Sequence, residues 1–118
     1  MISIENLHNV TFKPYKRYNQ LLKGLYWHNI NYSDISGVGT YLLKFSPNTY
    51  TQQHKHLDYE NFYVLSGSIY DSLSKKTYYK NSFVSLEKNT IHYSYSKDGC
   101  IVLVFSQGHI ERFKQSKL

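Results

Sequence analysis

The sequence has little cysteine, proline or glycine, with one, two and six of these residues among its 118. The single cysteine, Cys100, excludes an intrachain disulfide framework. No apolar run approaches the roughly 18 residues that a membrane-spanning helix needs. Residues 1–6 show no basic segment followed by an apolar one, which argues against a signal peptide. These absences predict a cytoplasmic protein with no membrane partner.

The composition indicates a folded chain with a basic surface. Hydrophobic residues make up 41% of the chain, and at 118 residues we predict a single domain over residues 1–118. The net charge of +6 and the thirteen tyrosines are compatible with nucleic-acid binding. However, the lysines are dispersed along the chain, and tyrosine is also a strong strand former. A β-rich fold with a basic surface therefore explains the charge and the tyrosine content better than nucleic-acid binding does.

Short runs of strand-forming residues, separated by turn signals, extend over most of the chain. Residues 41–45 end at the turn cluster 46–48, and residues 100–105 form an apolar run. Short strands with turns about every eight to twelve residues are typical of a β-sandwich or barrel. We predict one short helix, at residues 19–23, and a polar tail at residues 111–118.

Four residues have the spacing of a metal site. His54 and His56 are two positions apart, so in an extended segment both imidazoles point to the same face. Glu60 follows four residues later, and His92 arrives on a separate segment. Three neutral nitrogens and one anionic oxygen suit a divalent transition metal. His54, His56, Glu60 and His92 are therefore the candidate metal ligands.

The spacing of these residues is similar to that of the small-barrel cupins. Their first motif is Gly, five residues, His-x-His, three or four residues, Glu, six residues and Gly. His54, His56, Glu60 and Gly67 keep these intervals, and His92 ends the second motif, Gly, five residues, Pro-x-Gly, two residues, His. The chain most resembles the cupin domain of ChrR-like anti-sigma factors and related stand-alone cupins. That likeness spans about residues 38–107 and is carried by segments 46–48, 54–56, 63–67 and 98–100.

Asparagine stands at three of the glycine positions of these motifs. Asn48 opens the first motif, and Asn81 and Asn89 lie in the second. The family glycines lie in turns, where φ is often positive. Asparagine is the next residue to tolerate that region, because its short amide bonds locally to the backbone. Glu87 replaces the motif proline, and a glutamate at this position is compatible with the turn. We therefore predict that the turns and the metal site are intact.

The resemblance implies an all-β fold, the cupin double-stranded β-helix, in which two antiparallel sheets close into a small barrel. It places His54 and His56 on one inner strand, Glu60 at the start of the next, and His92 on a strand across the barrel mouth. Strand parity then predicts a mostly apolar pocket beside the ligands. The predicted pocket residues are Tyr41, Leu43, Phe45, Phe62, Val64 and Ser94.

One divalent transition metal is the implied cofactor, and the sequence leaves its identity open. Three histidines and a glutamate suit six-coordinate Fe(II), Mn(II) or Ni(II), and they also suit four-coordinate Zn(II). The role of Cys100 is open as well. We favour core packing over redox sensing, because the residue begins an apolar strand.

Two functional classes follow from the resemblance. The first is a stand-alone sensor or small-ligand-binding module, like the regulatory cupin domain of the anti-sigma factors. The alternative is a metal-dependent enzyme, a non-haem Fe(II) dioxygenase acting on a small enolisable or diketone-like substrate. We favour the binding module, because no residue beyond the ligands is a convincing acid, base or nucleophile. We also expect a homodimer, since small cupins commonly dimerise and residues 1–10 offer a strand for exchange.

Overall fold

The computed structural model describes residues 1–113, which contain twelve β-strands and a short 3-10 helix at Leu7–Asn9. The strands are β1 (Lys13–Arg17), β2 (Gln20–Asn29), β3 (Val38–Phe45), β4 (Thr49–Tyr50), β5 (His54–His56), β6 (Glu60–Asp71), β7 (Lys76–Tyr79), β8 (Phe83–Leu86), β9 (Ile91–His92), β10 (Ser94–Ser96), β11 (Cys100–Gln107) and β12 (Ile110–Arg112). The all-β prediction is confirmed. Within these residues, no helix has the length and apolar character needed to cross a bilayer.

The strands form two antiparallel sheets. The larger has nine strands in the order β1-β2-β3-β11-β6-β10-β4, with β7 and β8 also paired to β6. The smaller has the order β12-β5-β9. The first half of β6 pairs with β11 and β8, and its second half pairs with β7 and β10. Because β6 contributes to both sets of pairs, the large sheet curls around the core and leaves the small sheet at one side.

A bulge in β6 reverses which of its residues face the interior. The register of β6 with β11 shifts between Ile101 and Val102. Before this point Phe62 and Val64 are buried, and after it the buried residues include Ile69 and Asp71. Gly67 follows the bulge and pairs with Cys100; its φ is +73°, and a Cβ there would collide with the backbone carbonyl of Gly99. The second half of β6 therefore presents odd-numbered side chains to the interior.

All three asparagines at motif glycine positions have a positive φ, as predicted. The values are 59° at Asn48, 75° at Asn81 and 72° at Asn89. The turn at Asn89 directly supports a candidate ligand, because its backbone N–H donates to the carbonyl of His56 at 2.8 Å. The N–H of His56 in turn donates to the carbonyl of Thr90 at 2.9 Å. The second motif therefore holds the backbone of the first.

The predicted helix at residues 19–23 is wrong. Tyr18 and Asn19 both have a positive φ, of 53° and 60°, and they form the turn of a hairpin in which Arg17 pairs with Gln20. Two consecutive residues of positive φ match the twist of the flanking strands, which explains the tight connection. Of the residues predicted as helical, Asn19 lies in this turn and residues 20–23 begin β2.

The two chain ends contain one short helix and one strand. Residues 1–10, proposed as a strand for exchange in a dimer, contain the 3-10 helix in the single chain. The predicted tail begins too early, because β12 reaches Arg112 and pairs with β5, with Ile110 opposite His56. Through this pairing, β12 hydrogen-bonds to the backbone groups on the edge of β5 that does not face β9. The last five residues of the predicted tail, 114–118, lie outside the described residues.

Candidate metal centre

Three of the four predicted ligands converge in the interior. His54 and His56 lie on β5 and His92 lies on β9, with exposures of 8%, 2% and 3%. His56 Nε2 lies 3.1 Å from His54 Nε2 and 2.9 Å from His92 Nε2. His92 was expected across the barrel mouth, but β9 is the hydrogen-bonded neighbour of β5, and His92 pairs directly with His54. Two adjacent strands therefore bring the three imidazoles together.

The second ring nitrogens fix where the lone pairs point. His54 Nδ1 lies 2.7 Å from the carbonyl oxygen of Gln52, which only accepts, so this nitrogen carries the proton. His92 Nδ1 lies 2.6 Å from Asp71 Oδ1 and likewise donates. In their neutral forms, His54 and His92 therefore present unprotonated Nε2 atoms to the same point as His56. The neutral His56 ring can supply at most one proton at this point. One proton does not provide a full hydrogen bond to both the His54 and the His92 nitrogen.

A metal ion fits this arrangement. Ligand nitrogens at about 2.1 Å from a shared ion are separated by roughly 3.0 to 3.4 Å, depending on coordination geometry. The separations of 2.9 and 3.1 Å are close to that range. The three residues form a buried cluster whose ligand atoms all lie within 4.8 Å of one another. The donor set and its spacing are therefore suited to a divalent transition metal.

Asp71 supports the cluster from behind, and the sequence did not indicate it. This carboxylate is 4% exposed, accepts from His92 and accepts from the backbone N–H of Ser74 at 2.7 Å. Burial raises its pKa, but the hydrogen bonds from Ser74 and His92 outweigh burial and hold the pKa below its ordinary value. An ionised carboxylate behind a metal-binding histidine orients the ring and increases its basicity.

Glu60, the fourth predicted ligand, lies beside the three-histidine cluster. It begins β6, as expected, and its Oε2 is 3.6 Å from His56 Nε2. It is not one of the three residues in the tight cluster of ligand atoms. Burial raises the pKa of Glu60 to about 7, although the charge of Arg17 acts in the opposite direction. A neighbouring cation would favour its ionised form.

A cavity of about 60 Å³ adjoins the cluster, and all four predicted ligands lie on its wall. Five of the six predicted pocket residues also line it: Tyr41, Leu43, Phe45, Phe62 and Ser94. The sixth, Val64, has the same inward orientation but is fully enclosed by core side chains and does not reach the cavity. Arg17 and Tyr15 are wall residues that the prediction missed. Alternation along β1 buries Tyr15 and Arg17 and exposes Lys16, but the residue types alone do not mark Arg17 as inward.

Cys100 is a core residue. It is 5% exposed and belongs to the main hydrophobic cluster. Burial raises the pKa of its thiol to about 11. A buried, protonated thiol is a poor nucleophile, which favours packing over redox sensing for this residue.

The metal-free protein should lose stability as the pH falls below about 6.5. Burial, together with the neighbouring histidines, lowers the pKa of His54 to about 3 and of His56 to about 2, from 6.5. On acidification, His54 and His56 therefore each take up a proton in the unfolded chain but not in the folded chain. Glu60 opposes this between pH 7 and 4.5, because its raised pKa lets the folded chain hold a proton that the unfolded chain has lost. Between about pH 6.5 and 4.5 the unfolded chain therefore binds about one proton more than the folded chain, and below pH 4.5 about two more. Each extra proton lowers the free energy of unfolding by about 1.4 kcal/mol per pH unit of acidification.

Urea denaturation in the presence of a chelator, at pH values from 7 to 4, measures this dependence. In His56→Ala, only His54 still takes up a proton in the unfolded chain but not in the folded chain. The free energy of unfolding should therefore fall about half as steeply below pH 4.5 as in the parent. A free energy of unfolding that is constant over this range would show that the histidines are not buried as described.

Comparisons with known proteins identify the fold. A family model described as the ChrR Cupin-like domain matches residues 8–111. No curated protein matches the chain. Among solved structures, the polyketide cyclase RemF of Streptomyces resistomycificus has a TM-score of 0.76 and 16% identity, over 99% of this chain and 89% of RemF. An acetylacetone dioxygenase of Acinetobacter johnsonii has a TM-score of 0.75 and 11% identity, over 98% of this chain and 82% of that enzyme.

A third similar structure is Rhodobacter sphaeroides SigE in complex with the anti-sigma ChrR. Its TM-score is 0.67 at 17% identity, and the match covers 86% of this chain and 52% of the matched one. The chain thus spans about half the length of that matched protein. At these identities the three likenesses show the fold alone, and they confirm the double-stranded β-helix that the cupin resemblance implied.

Proposed function

The chain belongs to the ChrR cupin-like domain family, and we propose that it is a metal-binding module that senses or binds a small organic ligand. His54, His56 and His92 would hold one divalent transition-metal ion, with Glu60 as the fourth ligand. The observation that carries this proposal is the meeting of three buried Nε2 atoms, two of which must present lone pairs. A cation is the group that satisfies all three at once.

Each residue has a distinct part in this proposal. The histidines supply neutral nitrogen ligands, and Asp71 keeps His92 in the tautomer that binds metal. Glu60 is 3.6 Å from His56 Nε2, near enough for its carboxylate to complete the site, and its charge would offset part of the charge of the ion. The proposed metal ligands form part of the cavity wall, so a small molecule inside the cavity would lie next to the ion.

A non-haem Fe(II) dioxygenase acting on a small enolisable or diketone-like substrate is the second candidate. The cavity wall contains all the proposed ligands, which is what a substrate adjacent to the ion requires. The likeness to an acetylacetone dioxygenase is consistent with this candidate but extends only to the fold. Bound iron would supply redox chemistry, whereas zinc has no accessible redox change.

Purified protein should contain close to one divalent ion per chain, because the three imidazoles are already assembled for it. Elemental analysis of protein prepared without added metal measures the content and identifies the ion. Metal-free protein should regain thermal stability on addition of Zn(II), Fe(II), Mn(II) or Ni(II). Absence of metal, together with no thermal shift for any of these ions, would contradict the proposed function.

Nitric oxide separates the two candidates. Protein loaded with Fe(II) and treated with nitric oxide should give a high-spin electron paramagnetic resonance signal if the iron has an exchangeable position. Acetylacetone should change the shape of that signal if it enters the cavity and displaces water from the iron. Native zinc and no nitric oxide signal in the iron form would leave only the binding module.

A further inference from the structure

Arg17, the last residue of β1, is a cationic side chain buried in the barrel. It is 2% exposed and lies on the wall of the cavity that also contains the three histidines. Its Nε donates to Tyr32 Oη at 2.9 Å, and its Nη1 lies 3.3 Å from Tyr41 Oη and 3.4 Å from Tyr15 Oη. Its Nη2 is buried and has no hydrogen-bond partner among residues 1–113. One donor group of a permanently charged guanidinium therefore has no acceptor in the described chain.

No carboxylate in that part of the chain forms an ion pair with Arg17, although Glu60 on the same cavity wall acts on its charge at longer range. The two ion pairs there, His56–Glu60 and His92–Asp71, do not include it. The Tyr32 ring centroid lies 4.7 Å from the guanidinium carbon, a contact that stabilises a cation without neutralising it. A buried charge with no carboxylate in contact is only partly compensated. An anion in the cavity would supply the missing acceptor and a counter-charge in direct contact.

The size and lining of the cavity restrict what this anion can be. A volume of about 60 Å³ holds only a few non-hydrogen atoms, since one water needs about 10–15 Å³. Apart from its charged groups, much of the wall is apolar, including Leu43, Phe45 and Phe62. A single guanidinium nitrogen matches one carboxylate oxygen, whereas a phosphate group has more acceptors than this site can satisfy. A short carboxylate with an apolar remainder fits best.

We propose that Arg17 is the anchor of a binding site for a small organic carboxylate, which lies in the cavity beside the metal centre with one oxygen accepting from Nη2. This inference deepens the proposed function and rests on it only in that the ion forms part of the same wall. The three tyrosines hold the guanidinium in place, and Glu60 remains with the histidines. The ligand class is therefore set by Arg17, on a different strand from the metal ligands.

Nuclear magnetic resonance of the zinc-loaded protein tests this directly, with propanoate as the probe and propanamide as its neutral counterpart. The chain has only two arginines, Arg17 and Arg112, so their guanidinium signals are readily distinguished. Propanoate should shift the signals of Arg17 and bind about tenfold or more tightly than propanamide, because the hydrogen bond is charge-assisted. Equal binding of the two probes, or signals of Arg17 that do not move, would overturn the proposal.

Two variants separate a specific contact from a general positive field. Arg17→Met should weaken propanoate binding by about tenfold or more, while propanamide binding and zinc content stay unchanged. Arg112→Gln is the matched control, because Arg112 also lines the cavity but has Arg17 O and Gln20 Oε1 as acceptors. Equal weakening in both variants would overturn the assignment to Arg17. If Arg17→Met does not fold, the signals of the unmodified chain still decide.

The outcomes distinguish this inference from the proposed function. Zinc-loaded protein with unresponsive Arg17 signals would refute the carboxylate site and leave the metal module intact. Protein that binds no metal but shows propanoate-dependent Arg17 signals would refute the metal module and retain the carboxylate site.

Discussion

We expect His56→Ala to abolish stoichiometric metal binding, while His8→Ala leaves it unchanged. His56 Nε2 lies between the other two ligand atoms, 3.1 Å from His54 Nε2 and 2.9 Å from His92 Nε2. Without it two imidazoles and Glu60 remain, but the carboxylate lies outside the tight cluster of ligand atoms, so the preassembled set of three nitrogens is lost. His8 is exposed near the start of the chain, so it matches the chemical change without touching the site.

The effect on stability should be large and should depend on metal. An ion that binds only the folded state raises the free energy of unfolding by about 4 kcal/mol when its free concentration is a thousandfold above Kd. Thermal or urea unfolding, with zinc and with chelator, measures this increment in the parent, His56→Ala and His8→Ala. The difference between the two conditions isolates the metal contribution from the packing lost at a buried side chain. An increment retained in His56→Ala would show that His56 is not needed to hold the ion.

The metal cluster was predictable because its determinants are local. His54 and His56 share a face through simple strand alternation, and asparagine at 48, 81 and 89 signalled turns of positive φ. The spacing of these residues from Gly67 and His92 then fixed the fold through the cupin resemblance. Such signals survive in one sequence because each depends on a residue type at a fixed interval.

Other parts of the site depend on contacts that the sequence does not show. Strand parity placed Phe62 inward correctly, but the bulge between Val64 and Ser66 reverses the alternation, so the inward position of Asp71 could not be counted from Glu60. Arg17 was not predicted as a site residue, since nothing local indicates that β1 continues the large sheet. The hairpin at Tyr18 and Asn19 was missed because it lacks the glycine that usually marks such turns.

We expect Asp71→Asn to weaken metal binding by about 10- to 100-fold, although Asp71 does not touch the ion. The Ser74 backbone N–H needs an acceptor, which directs the amide oxygen of the new asparagine toward it. The amide NH2 then faces His92 Nδ1 and requires that nitrogen to accept. The proton of His92 moves to Nε2, which loses the lone pair that would bind metal. The opposite amide orientation restores the tautomer but leaves the Ser74 N–H without an acceptor, so both arrangements oppose metal binding.

Competition with a chromophoric chelator gives the zinc affinity, and the imidazole nitrogen shifts of metal-free protein report the His92 tautomer. Asp71→Asn should show His92 with the proton on Nε2, while the parent shows it on Nδ1. Asp98→Asn is the matched control, because Asp98 is exposed in the turn before β11 and should leave both readings unchanged. Asp71→Ala tests the cause, since it removes the carboxylate without imposing a donor on His92. Zinc should therefore bind more tightly to the alanine variant than to the asparagine one, and the reverse order would contradict the tautomer argument.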